Sequence, residues 1–374
     1  MLIDWLTLRL PLYFLGREIH DRLMQYAGRL VRFDASGMMV FCKVVFDVEK
    51  LRSDSPGLFW QIGSDGKQSF LIIAGSPANI INGFSNNVFG SLDVQYCAQV
   101  MIGYAMKCLD LQLPLDLRLW QCRRVDITAN YYLPGSGSAD LALSQLLFSD
   151  AARKRSSSPA SGGKSVYWGG KSTRAKGKAY LKGEHAQYQL RRGKAFFSGG
   201  DNDISALHHV IRFEHTRGSA FFRDLESGKF LEEGSKFYCD SCFWVDFLSV
   251  KRCEILFLDY FSQLVSGVEV SGMNHDSVVS HIVQSVGCSQ NVARSAFNMM
   301  RNIREDGFDV VKNYMSHASY YRYMKILRQA GFTESDIRSC KVIQFPKVKI
   351  DLRNPVRSWD ELRSLHVQSL RRVA

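Results

Sequence analysis

By their hydrophobic and polar positions, the first 130 or so residues read as strands with one clear helix. Over 2–10, Leu6, Leu8 and Leu10 fall on one side of an extended segment and Thr7 and Arg9 on the other. Runs at 38–48 and 70–74 are β-branched or aromatic and bounded by Gly, Ser and Pro, which predicts strands. The stretch 92–109 breaks this pattern. Leu92, Tyr96, Val100, Tyr104 and Cys108 recur every four residues, which predicts one helix packed across the sheet. A long strand is expected over 115–133, and shorter ones over 165–168, 177–183 and 210–216. From about residue 238 the apolar spacing becomes helical and prolines vanish until Pro346, so several helices are expected over 243–338. The pattern predicts an α+β protein: an antiparallel β-sheet catalytic domain with packed helices over 1–235, followed by a mainly α-helical domain over 236–374.

Charge changes the picture from fold to partner. The 374 residues carry a formal net charge of +12. The segment 151–194 alone holds twelve Lys or Arg against one acid, Glu184. Such a basic balance calls for an acidic partner, a nucleic acid or an anionic membrane. The membrane finds no support: the most apolar long stretch, 243–264, is interrupted by Asp246, Lys251, Arg252, Glu254 and Asp259. No basic region followed by an apolar run opens the chain, so no export signal is expected. Nine cysteines, an odd number, then suggest free thiols in a reducing cytoplasm. Cys239 and Cys242 form a CxxC with only Cys253 nearby, which favours core thiols over a zinc site.

Three predicted strands carry a polar face. Arg124, Asp126, Thr128 and Asn130 alternate with Val125, Ile127 and Ala129; Arg212, Glu214 and Thr216 alternate with Ile211 and Phe213. If 179–184 is extended, Tyr180, Lys182 and Glu184 share a face as well. Neighbouring strands would then bring Asp126, Glu184 and Glu214 together, and clustered carboxylates repel unless a divalent cation neutralises them. Hard oxygen ligands suit Mg²⁺ or Mn²⁺. His208, His209 and His215 invite a metal reading too, but no His-hydrophobic-His pair is present. A solvated sheet face gives the same alternation, so pattern alone leaves surface and active face both open. Tyr180 would be the nucleophile on a DNA phosphodiester, with Lys182 supporting charge. Arg124 and Arg212 are candidate phosphate clamps. Arg153, Lys154, Arg155, Lys164, Lys171, Arg174 and Lys176, in and beside a Ser- and Gly-rich loop, and Lys178 in the next strand, are expected to contact DNA phosphates without reading sequence. In the helical region, Tyr320, Tyr323, Leu327 and Ala330 form one face, and Arg322, Lys325 and Gln329 another. With the preceding 308–315 helix this is either a helix-turn-helix-like reader of a DNA groove or an ordinary helical pair with a solvated basic face.

Taken in order, Ile3-Asp4, Leu8-Arg9-Leu10-Pro11, Ser76-Pro77-Ala78, Asn87-Val88-Phe89-Gly90, Arg124-Val125-Asp126, Ala179-Tyr180-Leu181-Lys182, Arg212-Phe213-Glu214, Gly307-Phe308-Asp309 and Tyr321-Arg322-Tyr323 resemble the replication initiators of filamentous bacteriophages, the gene II protein family. The resemblance spans nearly the whole chain. It implies rolling-circle replication in the host bacterial cytoplasm: binding double- and single-stranded phage DNA at the origin, nicking one strand, leaving a 3′-hydroxyl for a host polymerase, working with a host helicase, and rejoining the displaced strand. It assigns Tyr180 as the covalent nucleophile and is also similar to plasmid initiators that use a carboxylate-bound metal, with Glu184 shifted by one position from their pattern. The alternative is a non-catalytic, regulatory origin-binding protein. Tyrosine recombinases are disfavoured, because their Arg-His-x-x-Arg-type cluster is missing. A water-activating nuclease would differ by leaving no protein-linked 5′ end.

Overall fold

The computed structural model describes residues 1–24, 29–44, 57–84, 86–135, 138–147, 156–157, 165–191, 201–265, 279, 282–283, 285–334, 337 and 350–371. Ten strands form one antiparallel sheet: β1 (Leu2–Pro11), β2 (Arg29–Phe33), β3 (Met39–Val44), β4 (Leu58–Ser64), β5 (Ser69–Gly75), β6 (Gln121–Tyr132), β7 (Ser156–Ser157), β8 (Ser165–Trp168), β9 (Ala175–Leu181) and β10 (Val210–Arg217). Their order is β3-β2-β4-β5-β1-β6-β10-β9-β8-β7. The long strand expected over 115–133 starts later, at Gln121, because a 3-10 turn over Leu117–Leu119 precedes it.

The helices in chain order are α1 (Arg17–Met24), α2 (Pro77–Ile81), α3 (Val94–Leu109), α4 (Ser138–Leu147), α5 (Lys182–Arg191), α6 (Asp201–Leu207), α7 (Ser219–Glu226), α8 (Trp244–Phe247) and α9 (Val250–Val265). They are followed by α10 (Gln290–Asp306), α11 (Phe308–Tyr314), α12 (His317–Gln329) and α13 (Trp359–Arg371). The α+β class expected from the pattern is the class found. Helix α3 forms as expected, started by Asp93, whose carboxylate accepts from the amides of Gln95 and Tyr96. Cys97, Ala98, Met101, Ile102 and Ala105 pack inward while Tyr96 is exposed, and Leu92, Tyr104 and Cys108 are partly buried against the same core.

One face of the sheet is buried under helices. Leu6, Leu8 and Leu10 of β1, Val125, Ile127 and Ala129 of β6, and Ile211 and Phe213 of β10 share a core with α3, α8 and α9. That core therefore runs on past residue 235, as far as Leu264 and Leu352. Residues from α10, α11 and α12 close a second core around Met300, Ile303, Tyr320, Met324 and Leu327. The chain then returns to the sheet: Val356 bridges to Asn130, and α13 packs on α6 with Arg363 gripping Asp203 through two bonds of 2.8 Å. Among the described residues no helix is long and apolar enough to cross a membrane.

Candidate active site on the polar sheet face

The register of β6, β10 and β9 places the polar side chains in rows across the sheet. Asn130, Arg212 and Tyr180 form one row; Thr128, Glu214 and Lys178 the next; Asp126, Thr216 and Lys176 the third. Alternation along each strand supplies these side chains, and pairing brings them side by side.

Tyr180 donates its hydroxyl hydrogen to Glu214 Oε1 at 2.8 Å, and Lys178 Nζ stands 3.6 Å from Glu214 Oε2 and 4.0 Å from the centre of the Tyr180 ring. Burial pushes the Tyr180 phenol well above its ordinary range, and the Glu214 charge pushes it further. Burial also works against the Glu214 carboxylate, but Lys178, Arg212, the Tyr180 hydrogen bond and Lys182 outweigh it and hold the group below its usual value. The pair is thus a neutral phenol on an ionised carboxylate, the arrangement of a nucleophile beside its base.

Asp126 is gripped by Arg124 through bonds of 2.9 and 2.6 Å. Arg124 and Lys178 therefore already neutralise the two carboxylates, which removes the repulsion argument that demanded a cation. The Thr128 hydroxyl, fully buried in the same row as Glu214, has no hydrogen-bond partner among the described residues.

Two expectations about β9 need correcting. The strand ends at Leu181, and Lys182 and Glu184 lie in the first turn of α5. The chain turns here because Gly183 packs directly on the backbone of His208, where no Cβ fits. Tyr180, Lys182 and Glu184 consequently do not share a strand face, and Glu184 does not join Asp126 and Glu214. Among the described residues, no three His, Cys, Asp or Glu gather as a metal cluster. Lys182 is buried without exposure and donates to Asn87 Oδ1 at 2.9 Å; burial, then Arg212, holds its ammonium well below the ordinary lysine range. Lys178, not Lys182, is the cation beside the Tyr180–Glu214 pair.

Arg212 is not a surface clamp either. With no exposed surface, its guanidinium donates to Asn130 Oδ1 at 2.9 Å and to the carbonyls of Asn87 and Val88, and faces Asp4 at 3.8 Å. Asp4 in turn accepts from Asn87 Nδ2 at 2.7 Å. Burial pushes the Asp4 carboxyl up to about 6 despite the opposing pull of Arg212. Asp4 and Asn87 are members of this network that sequence reasoning did not single out as site residues. Of the other expected DNA contacts, Arg174 is ion-paired with Asp224, Lys171 is exposed, and Lys176 is half-buried on the polar face. Arg153, Lys154, Arg155 and Lys164 lie outside the described residues. Arg322 and Lys325 are exposed on α12, opposite the buried Tyr320, Met324 and Leu327. His215 is on the helix-covered face, its ring stacked on Tyr260 at 4.3 Å, away from the carboxylates. Cys239 and Cys242 are free and only partly buried.

Sheet and site together describe an α+β protein that holds a tyrosine on a carboxylate next to a cationic flank. Residues 2–237 match the N-terminal domain of the phage replication-associated protein family, the gene II proteins, and the chain belongs to that family. Over 381 aligned residues it is 23% identical to the replication-associated gene II protein of Enterobacteria phage f1 and to that of Enterobacteria phage M13, covering 90% of this chain and 91% of each relative. The corresponding replication-associated protein of Enterobacteria phage fd is 23% identical over 389 residues, with the same coverage. The family expected from the sequence is the family found.

Proposed function

We propose that this protein is a rolling-circle replication initiator that nicks one strand of phage origin DNA through Tyr180 and later rejoins it. The observation that carries the proposal is the 2.8 Å hydrogen bond from the Tyr180 phenol to Glu214. Glu214 takes the phenolic proton as the tyrosyl oxygen bonds to phosphorus. The bond from phosphorus to the 3′-oxygen breaks, and that oxygen takes a proton from solvent to become the primer hydroxyl. The 5′ end stays on Tyr180 as a phosphotyrosine, which keeps the energy of the broken bond for rejoining. Lys178, against both the ring and the carboxylate, offsets negative charge as it develops. Arg212, Asn87 and Asp4 position the surrounding backbone.

The oxygens of Asp126 and Glu214, with the unpartnered Thr128 hydroxyl, have the hard-donor chemistry to hold Mg²⁺ or Mn²⁺. A cation bound there would offset charge on the phosphate. Its binding would compete with the Arg124 and Lys178 ion pairs. Tyr180 is only 4% exposed, so reaction with DNA requires a movement that uncovers it. That burial also favours a second reading, an origin-binding regulator without chemistry. Host polymerase and helicase acting in the bacterial cytoplasm belong to the first reading.

The deciding experiment incubates the protein with Mg²⁺ and supercoiled DNA carrying the phage origin, then maps any protein-linked 5′ end by peptide mass. An adduct on Tyr180 is expected. Site-specific cleavage without any linked protein would point to a water-activating nuclease, and binding without cleavage to the regulator.

A further inference from the structure

Beside the active-site rows the sheet opens into a cleft of about 120 Å³ that the nicking step does not use. Arg123, Arg124 and Lys176 line it, with the side chains of Thr216 and Ser219, and no acidic residue is among its lining. Thr216 is the cross-strand partner of both Asp126 and Lys176, so the cleft adjoins the row that holds Glu214 and Lys178.

Two features show how the chain shapes this place. Successive residues of a strand ordinarily point to opposite faces, yet Arg123 and Arg124 both line the cleft. The pairing of β1 with β6 slips there: Thr7 faces Arg124, Leu8 faces Cys122, and Arg123 is the extra residue. Such a bulge re-aims a side chain, and here it lets two consecutive arginines border one cleft. Each is oriented by a carboxylate, Arg123 by Glu226 at 3.5 Å and Arg124 by Asp126. The second feature is the start of α7. Its cap, Gly218, carries no side chain, and a Cβ there would overlap the Thr173 carbonyl. Ser219 is the first helical residue, and its amide is a donor that helix geometry leaves outside the intrahelical ladder. The positive end of the helix therefore meets a cleft already lined by three cations.

We propose that this cleft seats a backbone phosphate of single-stranded DNA, neighbouring the phosphate that Tyr180 attacks. Its place next to the reacting phosphate rests on the nicking proposal; its ligand does not. Lys176 and the Ser219 amide supply charge and direction, and the Thr216 hydroxyl completes the seat.

The test measures binding of the full-length protein, without added metal, to a fluorescent oligothymidylate of about 12 nucleotides. Lys176→Ala should bind about tenfold more weakly, the scale of one lost charge-assisted hydrogen bond, and its log–log salt slope should flatten by roughly 0.7. Thr216→Val keeps shape and charge, and should weaken binding about threefold with the slope unchanged. Lys171→Ala, exposed and outside the cleft, serves as the reference for a diffuse basic surface. The proposal is overturned if Thr216→Val binds like the wild type, or if Lys176→Ala loses no more than Lys171→Ala. Thermal melts of each variant confirm that it is folded. A wild-type protein that passes this test yet forms no Tyr180 adduct would sink the nicking proposal and leave the phosphate seat standing.

Discussion

The two ends of the polar sheet face are built differently. At one end Tyr180, Arg212, Lys182, Asn87 and Asp4 are each at most 4% exposed and bonded mainly to one another. At the other, Arg124, Thr216 and Lys176 are only half-buried and border an open cleft. Groups that make or break bonds need fixed geometry and little water, whereas groups that catch a polyanion need access. Under the proposed nicking reading, the contrast would put chemistry at the closed end and capture at the open one, with Glu214 and Lys178 between. It also implies an order of events: a strand settles on the open end before Tyr180 is uncovered.

The largest effect that would test this division comes from Tyr180→Phe. It removes one hydroxyl from the closed end and nothing from the open end. Covalent adduct should disappear, a loss of at least about 10³-fold, since without the phenol no nucleophile remains at this position. Oligonucleotide affinity should stay within about threefold of wild type. A comparable loss of binding would mean that the two ends do not divide the work.

Arg212→Leu probes whether the closed end is a structural lock. Removing one partner of a buried, multiply bonded charge typically costs about 3–5 kcal/mol. Urea unfolding should show a stability loss of that order. A loss below about 1 kcal/mol would show that Asn87, Val88 and Asp4 hold their places without Arg212.

A smaller effect separates the ends by pH. The fold keeps a proton on Asp4 up to about 6, whereas the ordinary carboxyl releases it near 3.8. Between those values the folded chain binds more protons than the unfolded one, so stability is full at the acid side and declines as pH rises through about 6. Asp4→Asn cannot titrate and should lose that decline. The difference between the two stability curves should change by roughly 2–3 kcal/mol across the window. Parallel curves from pH 4 to 8 would contradict the buried carboxyl.

The same residue shows where the sequence stops being legible. Extended backwards, the alternation of Leu6, Leu8 and Leu10 puts Asp4 on the apolar face. The pairing with β6 slips between Ile3 and Trp5, and this bulge carries Asp4 to Asn87 and Arg212 instead. A one-residue bulge shifts the phase of a period-two pattern, here between Ile3 and Leu6, but the shift does not say which residue is the extra one. The rows of β6 and β10 were readable, because the two strands pair without a slip and the apolar side of each faces a real core. Glu184 was misplaced for the opposite reason: Ala179 to Glu184 alternates acceptably as a strand, and only the close approach of Gly183 to His208, which lies far along the sequence, marks the turn into α5. The helix over Val94–Leu109 was visible in its four-residue steps. Full burial went to Val94, Cys97, Ala98, Met101, Ile102 and Ala105, a stripe of mixed side-chain size beside those steps.

The finest test bears on the boundary between the two ends. Lys178 reaches Glu214 Oε2 at 3.6 Å from a position about a quarter exposed, so it belongs to both regions. It is the leading influence that holds the Glu214 carboxyl below its ordinary value, against the opposing effect of burial. A base must be ionised to accept the Tyr180 proton, so nicking should fail as pH drops through the depressed Glu214 value. In Lys178→Met that restraint is gone and burial acts unopposed by its nearest cation. The acid limb of the nicking profile should then move to higher pH, by up to about one unit for a partly exposed neighbour. At neutral pH the rate should fall only modestly, while Lys176→Ala leaves the acid limb where it was. If the limb stays fixed in Lys178→Met as well, Glu214 is not the group that takes the proton.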